Sequence, residues 1–506
     1  MGIKTNEKIV TSFYNNIGKP GSINYGVGVI PKENLPTNVY PIYGTYEPTH
    51  ENYGNYVHST TGSICCYIPP FWVKYDESLD PCMDIKAYNE YNSEASANSD
   101  GYYLPTFFKN NGQIGGWLVD KYLNSKVSLG TGYVAASIKN GLPISTHADH
   151  NPIADLTACS GNYYYEVINA AHARDGENGD INPSSIWCCM PFTAQGALSF
   201  LELAIPKSSV HCAWRSTGTT HFTKGCNNNA LGDNDDSTID FISDGYSNCS
   251  KAGSANQFAK TTHNGRPHGI TDIAGPMFNL GIGLTCDAVY KDITNVVFGN
   301  PTTITCVDHG LTAGDVIHIS SMTGADTINN RMWEVLAVID PDMFTIDVDS
   351  TAFTPVYSYG GLVRKGNWRI WNGDNDIATL TSGTSLNTDM FYSGSTLFDS
   401  IDLAWVTEYP NNGLGQRFGN AANSVYDLTN SRGVAGLPEA SGLSTSGTNR
   451  MGKDYYYQYI TNQCFPLLLG HWYAGSAAGC RYVAWNSSRS YSGNYVGFRS
   501  ACFVAI

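Results

Sequence analysis

Apolar and polar positions alternate most regularly between residues 302 and 348. Thr302-Thr-Ile-Thr-Cys-Val307, Val316-Ile-His-Ile-Ser320, Trp333-Glu-Val-Leu-Ala-Val338 and Met343-Phe-Thr-Ile-Asp-Val348 alternate or run β-branched, which suits a pleated, half-buried surface. His309-Gly-Leu-Thr-Ala-Gly-Asp315 supplies the turn between the first two. The pattern predicts an all-β unit over residues 294–365, and a closed barrel of about 70 residues is the arrangement that leaves no sheet edge open. Helical spacing is rarer. It predicts helices from Tyr163 to Arg174 and from Thr193 to Ala204, the second with Leu198, Leu201 and Ala204 at i, i+3 and i+6 and Phe200 flanking. Gly366-Asn-Trp-Arg-Ile-Trp371 and Asp402-Leu-Ala-Trp405 read as core strands, and Gly433 to Thr448 as a long Gly/Ser-rich loop. Residues 1–48 hold Tyr, Pro, Gly and Asn with turn signals such as Lys19-Pro-Gly21 and no sustained helical period, so they predict an extended attachment arm that orders on a partner.

At 506 residues the chain has room for about three domains and a large core. Charged residues are 14%, low against the usual share of about 25%, and polarity comes instead from Asn, Ser, Thr and 33 Tyr. A net charge of −15 with no basic stripe argues against nucleic acid as a partner. Fourteen cysteines over this length are too dilute for a disulfide scaffold. Cys65-Cys66 and Cys188-Cys189 lie in apolar strings and read as buried free thiols, with a few disulfides left open. No CxxC or Cys/His spacing suggests structural zinc. No run approaches the roughly 18 apolar residues of a membrane helix, and Met1–Lys8 lacks the apolar core of a secretion signal.

The C-terminal stretch from Leu469 to Arg499 sets Tyr473, Tyr482, Trp485, Tyr491 and Tyr495 among Ser, Asn, Ala and Gly. That is the mixture of rigid aromatic and adaptable polar residues found in binding loops, so most of these rings are expected at the surface, with Trp472 and Phe498 as framing core positions. Gly470-His-Trp472, the Gly-rich turn through Gly479, Arg481, Ser488-Arg-Ser490 and Val496-Gly-Phe-Arg499 resemble the last segment of the C-type-lectin-like fold shared by formylglycine-generating enzymes and diversified phage proteins. Ile68-Pro-Pro-Phe-Trp-Val-Lys74, Leu104–Phe108, Gly115–Tyr122 and Gly141–Thr146 look like landmarks of phage tail proteins with this fold. His268-Gly-Ile-Thr-Asp-Ile-Ala-Gly275 resembles a superfamily landmark of the form Gly-Leu-Tyr-Asp-Met-x-Gly. The wording Ile304 to Ile319 resembles a small β-barrel recurring in phage tail proteins and named after a half-domain of ubiquitin-activating enzymes. Its position makes it an insertion with a spacer or secondary-contact role.

The resemblance implies an α+β chain: an arm at 1–48, a C-type-lectin-like domain in two parts at 49–293 and 366–506, a barrel inserted at 294–365, and a binding face at 470–499. It also implies a tail-tip or tail-fibre protein of a bacteriophage virion, synthesised in the host cytoplasm, that binds a host-cell surface protein or glycan. His471, Tyr473, Ser476, Tyr482, Trp485, Asn486, Ser488, Tyr491 and Tyr495 are the expected receptor-binding set. The arm would meet other tail proteins, and a homo-oligomer, with a trimer favoured, would be held by globular faces because no heptad repeat is present. A purely structural baseplate or decoration role stays open. Departures from the family weigh against its chemistry. The landmark's usual Asn-Val-Trp-Glu-Trp is Pro276-Met-Phe-Asn279 here, and Cys480 stands alone between Cys464 and Cys502 where the oxidising enzymes carry a reactive pair.

No enzyme is expected. Gly-x-Ser-x-Gly and HExxH are missing, and Asp374 and Asp376 fall in an apparent turn. His147-Ala-Asp-His150 has no third ligand to complete a metal site and precedes the turn pair Asn151-Pro152. Gly232–Asp236 and Asn372–Asp376 gather oxygen ligands without EF-hand spacing, so they read as turns. Structural calcium is the one ion they could hold, and no cofactor is expected.

Overall fold

The computed structural model describes residues 14–506 except 158–160, 207–208, 210–239, 247–248, 256–260, 274–275, 326, 355, 380–397, 402–414, 419–425, 440–442, 445–453, 459, 472–473 and 475–478. The chain is mixed and mostly β, 36% strand and 14% helix, with several antiparallel sheets and few helices. The expected strand Asp402–Trp405 and the acidic run Gly232–Asp236 lie outside the described residues.

One sheet collects strands from both ends of the chain. Its order is Val39–Pro41, Asn55–His58, Ile64–Ile68, Gln113–Asp120, Ser500–Ala505 and Trp187–Cys189, with every neighbour antiparallel. The last strand is therefore clamped between two others. Both faces of this sheet are covered, and the period of two decides which side each residue serves. Cys66, Trp117, Val119 and Ala501 face the main core, whereas Cys65, Leu118, Trp187 and Cys502 face a smaller one. That alternation explains the apolar Cys65-Cys66 pair: adjacent thiols on a strand point apart, and each is buried. All eleven described cysteines are free and buried.

Residues 14–48 correct the expectation of an arm. Ile17, Tyr25, Val27 and Val29 belong to the main core, and Ile30 and Val39 to the smaller one. Tyr25 donates to the Leu201 carbonyl, and the Ile30 amide to the Tyr56 hydroxyl, so a segment without periodicity is ordered by this domain itself.

The helices fall where spacing placed them. Tyr163–His172 starts at Asn162, whose side chain accepts from the Tyr165 amide, and passes into a short 3-10 turn at Ala173–Asp175. Thr193–Leu203 is buried on every side, not on one stripe. Gly196 within it packs against Ala435 and Gly436, where an added Cβ would stand 2.6 Å from the Ala435 carbonyl oxygen.

The strands predicted between 302 and 348 are present as Thr302–Thr305, Val316–Thr323, Arg331–Asp340 and Met343–Ile346. They are joined to the rest by a ribbon of Leu284–Asp292 and Tyr359–Trp371, paired from Leu284↔Ile370 to Asp292↔Leu362. At Ile293 and Thr294 the first ribbon strand changes partner: the Ile293 amide bonds to Gly361, the Thr294 amide to Thr305, and Asn295–Val297 then pairs with Thr303–Thr305. Through this switch one run of chain, 284–297, borders both ends of the strand path. Its core is separate, built on Ile304, Ile317, Ile319, Val335, Phe344 and Ile346. The inner half of the ribbon, with Cys286, Trp368 and Trp371, belongs to the main core instead.

Candidate functional site

A second sheet carries the C-terminal segment. Its order is Leu443–Ser444, Gly415–Phe418, Tyr455–Gln458, Val483–Ser488, Cys464–Leu468, Phe278–Leu280 and Val496–Phe498. Tyr455–Gln458 runs parallel to Val483–Ser488, which is antiparallel to Cys464–Leu468; that strand is antiparallel to Phe278–Leu280, which is parallel to Val496–Phe498. Four strand starts and one strand end therefore share a single rim. The sequence places an aromatic residue at or beside each: Tyr455, Tyr482, Phe278 and Tyr495 at the starts and His471 past the end of Cys464–Leu468.

These rings form one continuous row. Tyr457 stacks on Tyr455 (centroids 6.2 Å), Tyr455 on Tyr482 (5.9 Å), and Tyr482 meets Phe278 (5.2 Å). Phe278 meets His471 (4.4 Å), His471 stacks on Tyr495 (4.6 Å), and Tyr495 meets Tyr491 (6.4 Å) with their hydroxyls in contact. Inner rings thus cover one another's faces, each such pair contributing roughly 0.5–1.5 kcal/mol beyond area burial. Phe278, His471 and Tyr482 are buried, while Tyr455, Tyr457, Tyr491 and Tyr495 are half-buried. Among the described residues the row ends at Tyr457 and Tyr491.

Buried polar contacts hold the rim in place. The Arg481 amide bonds to Asp454 at 3.1 Å, with the guanidinium 3.8 Å from the same carboxylate oxygen. Gly479 leaves room for this carboxylate, since a Cβ there would lie 2.0 Å from Asp454 Oδ1 and displace it. Gln195 donates from its helix to the carbonyls of Cys480 and Tyr482, both at 3.1 Å. Leu469 and Gly470 take positive φ of 72° and 74°, turning the chain off its strand toward His471. The tip at 492–496 rests on Thr146, which accepts from the Gly493 amide at 2.9 Å and donates its own amide to the Val496 carbonyl at 3.1 Å.

The other arginines of the segment are buried supports. Arg489 lies 4.4 Å over the Tyr164 ring, and burial pushes its pKa down to about 10. Arg499 donates to Asn279 Oδ1 (2.9 Å) and to the carbonyls of Asp120 (3.2 Å), Lys121 (2.9 Å), Thr271 (2.6 Å) and Asp272 (3.4 Å). It thereby ties three of the sequence landmarks to the strand beside the rim. Asp120 in turn takes a bidentate bond from Arg174, both contacts 2.7 Å and both side chains fully buried. Burial pushes the His471 pKa down to about 3, so this imidazole is neutral at physiological pH. The described rim therefore carries phenol hydroxyls and ring edges around a buried, neutral imidazole.

The structure brings together four members of the expected set: His471, Tyr482, Tyr491 and Tyr495. The expectation that the rings are mostly exposed is corrected for Tyr482, 8% exposed in the middle of the row, and for Trp485, fully buried. Trp485 points to the other side of its strand, toward Phe192 and Tyr456. Asn486 and Ser488 are half-exposed but sit toward the opposite end of that strand, Ser488 beside Cys464 and roughly 17 Å from the rim at 3.3–3.4 Å per residue. Tyr473, Ser476 and Trp472 lie outside the described residues, and Phe498 is buried as expected.

Phe278, Tyr455 and Tyr457 belong to the row without having been anticipated. Tyr455-Tyr-Tyr-Gln458 carried a usable signal, since strand alternation puts 455 and 457 on one face and the fully buried Tyr456 on the other. Phe278 lies in Pro276-Met-Phe-Asn279, where no alternation or composition marked it.

The remaining candidate chemistry resolves into turns and pairs. His147 Nδ1 accepts from the Asp149 amide, and His150 pairs with Asp244 at 2.7 Å. Asp376 accepts from Asn110 and the Ala378 amide, and Asn372 from the Asp374 amide. Among the described residues no group of three His, Cys, Asp or Glu could hold a metal ion, and no helix is long and apolar enough to cross a membrane. Compared by sequence, the chain matches no family model and no curated protein.

Proposed function

We propose that this chain is a bacteriophage virion protein of the tail tip or tail fibre, with a C-type-lectin-like domain interrupted by a small barrel, and that it binds a host-cell surface receptor through its C-terminal face. The observation that carries the reading is the row of seven rings at one rim of the C-terminal sheet. It lies in and beside the segment that resembles the receptor-reading part of diversified phage proteins. Rigid aromatics flanked by Ser, Asn and Gly supply contact area at low entropic cost, and an uncharged rim suits a protein or glycan ligand. Several copies on one particle, in a trimer for example, would multiply a weak single-site affinity. With residues 14–48 built into the domain, contact with other tail proteins falls to its outer surfaces.

Gold-labelled antibody against the purified chain, applied to particles of the encoding phage, tests the placement. Decoration of the distal tail is expected. Decoration of the head or tail shaft would favour a structural component over a receptor-binding one, and particles lacking the chain would refute both.

A further inference from the structure

We propose that the cleft between the turn at residues 16–24 and the strand Met83–Ala87 is a second binding site, one for an uncharged saccharide. The cleft has a volume of about 520 Å³, within the range of roughly 300–1,000 Å³ typical of small-molecule sites. It stands apart from the aromatic rim, and the argument for it does not depend on the function assigned to that rim.

Strand alternation builds one wall. Met83, Ile85 and Ala87 are buried, so Asp84 and Lys86 project from the opposite face two residues apart. Both are held in position. The Lys86 ammonium lies 4.2 Å over the Tyr102 ring and 4.8 Å over Tyr91, and donates to the Tyr91 hydroxyl at 2.8 Å. Tyr91 is in turn anchored on Asp100 at 2.9 Å, and the Tyr102 hydroxyl donates to Asp84. The carboxylate and the ammonium are thus each held by an aromatic neighbour before any ligand arrives, which lowers the entropic cost of binding.

The remaining lining sets the ligand class. Among the described residues that line it, Lys19 and Lys86 are matched by Asp84 and Glu90, so their charges balance, and Asn24 and Asn89 add amides. A carboxylate accepts, an ammonium donates and an amide does both. That is the complement of vicinal hydroxyls, each of which donates once and accepts elsewhere. A charged ligand would meet an opposed charge of each sign and gain little from either. The described lining holds no aromatic ring, so recognition by these residues rests on hydrogen bonds and not on stacking against a sugar face.

The test is saturation-transfer NMR and calorimetry on the full chain. The probes are methyl glycosides of glucose, galactose, mannose and N-acetylglucosamine, with glucuronate and glucosamine as charged comparators. Wild type, Asp84→Asn, Lys86→Met and Leu336→Ser, at an exposed position of another sheet, are compared after their thermal midpoints are shown to agree. Saturable binding of a neutral glycoside is expected, weakened about tenfold or more by each cleft substitution and unchanged by Leu336→Ser. Three outcomes overturn the proposal: no neutral glycoside binds, a charged comparator binds more tightly than every neutral one, or the cleft variants bind like wild type.

Discussion

Arg499→Met removes the guanidinium that joins Asn279 to residues 120–121 and 271–272 while keeping an apolar side chain of similar reach. Four acceptors within 3.2 Å lose the arginine, Asn279 Oδ1 and the carbonyls of Asp120, Lys121 and Thr271, of which the Lys121 carbonyl keeps the Thr271 amide and hydroxyl. A buried acceptor left unsatisfied costs about 1–3 kcal/mol, and breaking a buried charged network costs about 3–5 kcal/mol in total. Packing recovered by the methionine places the expected loss near the middle of that range, at about 4 kcal/mol. Arg499→Lys keeps the charge but has three donors where five contacts existed, so it should fall between. Urea unfolding followed by hydrogen exchange is the suitable assay because it reports the two cores separately. The main sheets should lose protection, while residues 317–346 of the barrel, with their own core, should keep it. A loss below about 1 kcal/mol, or equal loss in both units, would refute the assignment of Arg499 as the tie between landmarks.

Three further outcomes follow from the same geometry. Replacing residues 294–360 with a two-residue Asn-Gly turn, at the point where Asp292 faces Leu362, should leave the main domain within about 1 kcal/mol of its stability, since the ribbon already brings the ends together; unfolding of the main domain would contradict the insertion. His263 is held at about 4, and His268, His318 and His471 at about 3, by burial. Because these pKa values lie below the unfolded 6.5, the unfolded chain binds protons first: stability is retained above pH 6.5 and falls between pH 6.5 and 4 by up to about 1.4 kcal/mol per pH unit per histidine, so equal urea midpoints at pH 7.5 and 5 would contradict it. With eleven of fourteen cysteines buried and free, and burial raising Cys66 to about 12, no more than three thiols should react with a disulfide reagent before unfolding; faster titration of more would show that the cores open readily.

The strands between 302 and 346 were legible because their information is local. Alternation within Val316–Ser320 or Met343–Val348 fixes both strand and inward face, whereas spacing at Thr193–Leu203 marks the helix but not its burial on every side. The change of partner at Ile293–Thr294 was not legible, since it depends on which strand lies opposite. The rim was half legible for the same reason. Tyr482, Tyr491 and Tyr495 announce themselves by composition, but Phe278 and Tyr455 join them only because five strands from three parts of the chain end at one edge. Trp485 misled because an aromatic residue in a Ser/Asn-rich context reads as displayed, whereas its odd position on the strand turns it inward. Residues 14–48 misled because segments without periodicity can still fill a core when another sheet supplies the order.

The account turns on whether the rim binds cells. Fluorescently labelled chain should be titrated onto a panel of bacterial strains, beside a variant with Tyr457→Ser and Tyr491→Ser, the two half-buried ends of the row among the described residues. The expected result is saturable binding to at least one strain, weakened by about 2 kcal/mol or more per ring, roughly thirtyfold each, with the fold intact. Equal binding by both proteins would contradict the rim as the receptor site, and association only with other virion proteins would contradict receptor binding itself.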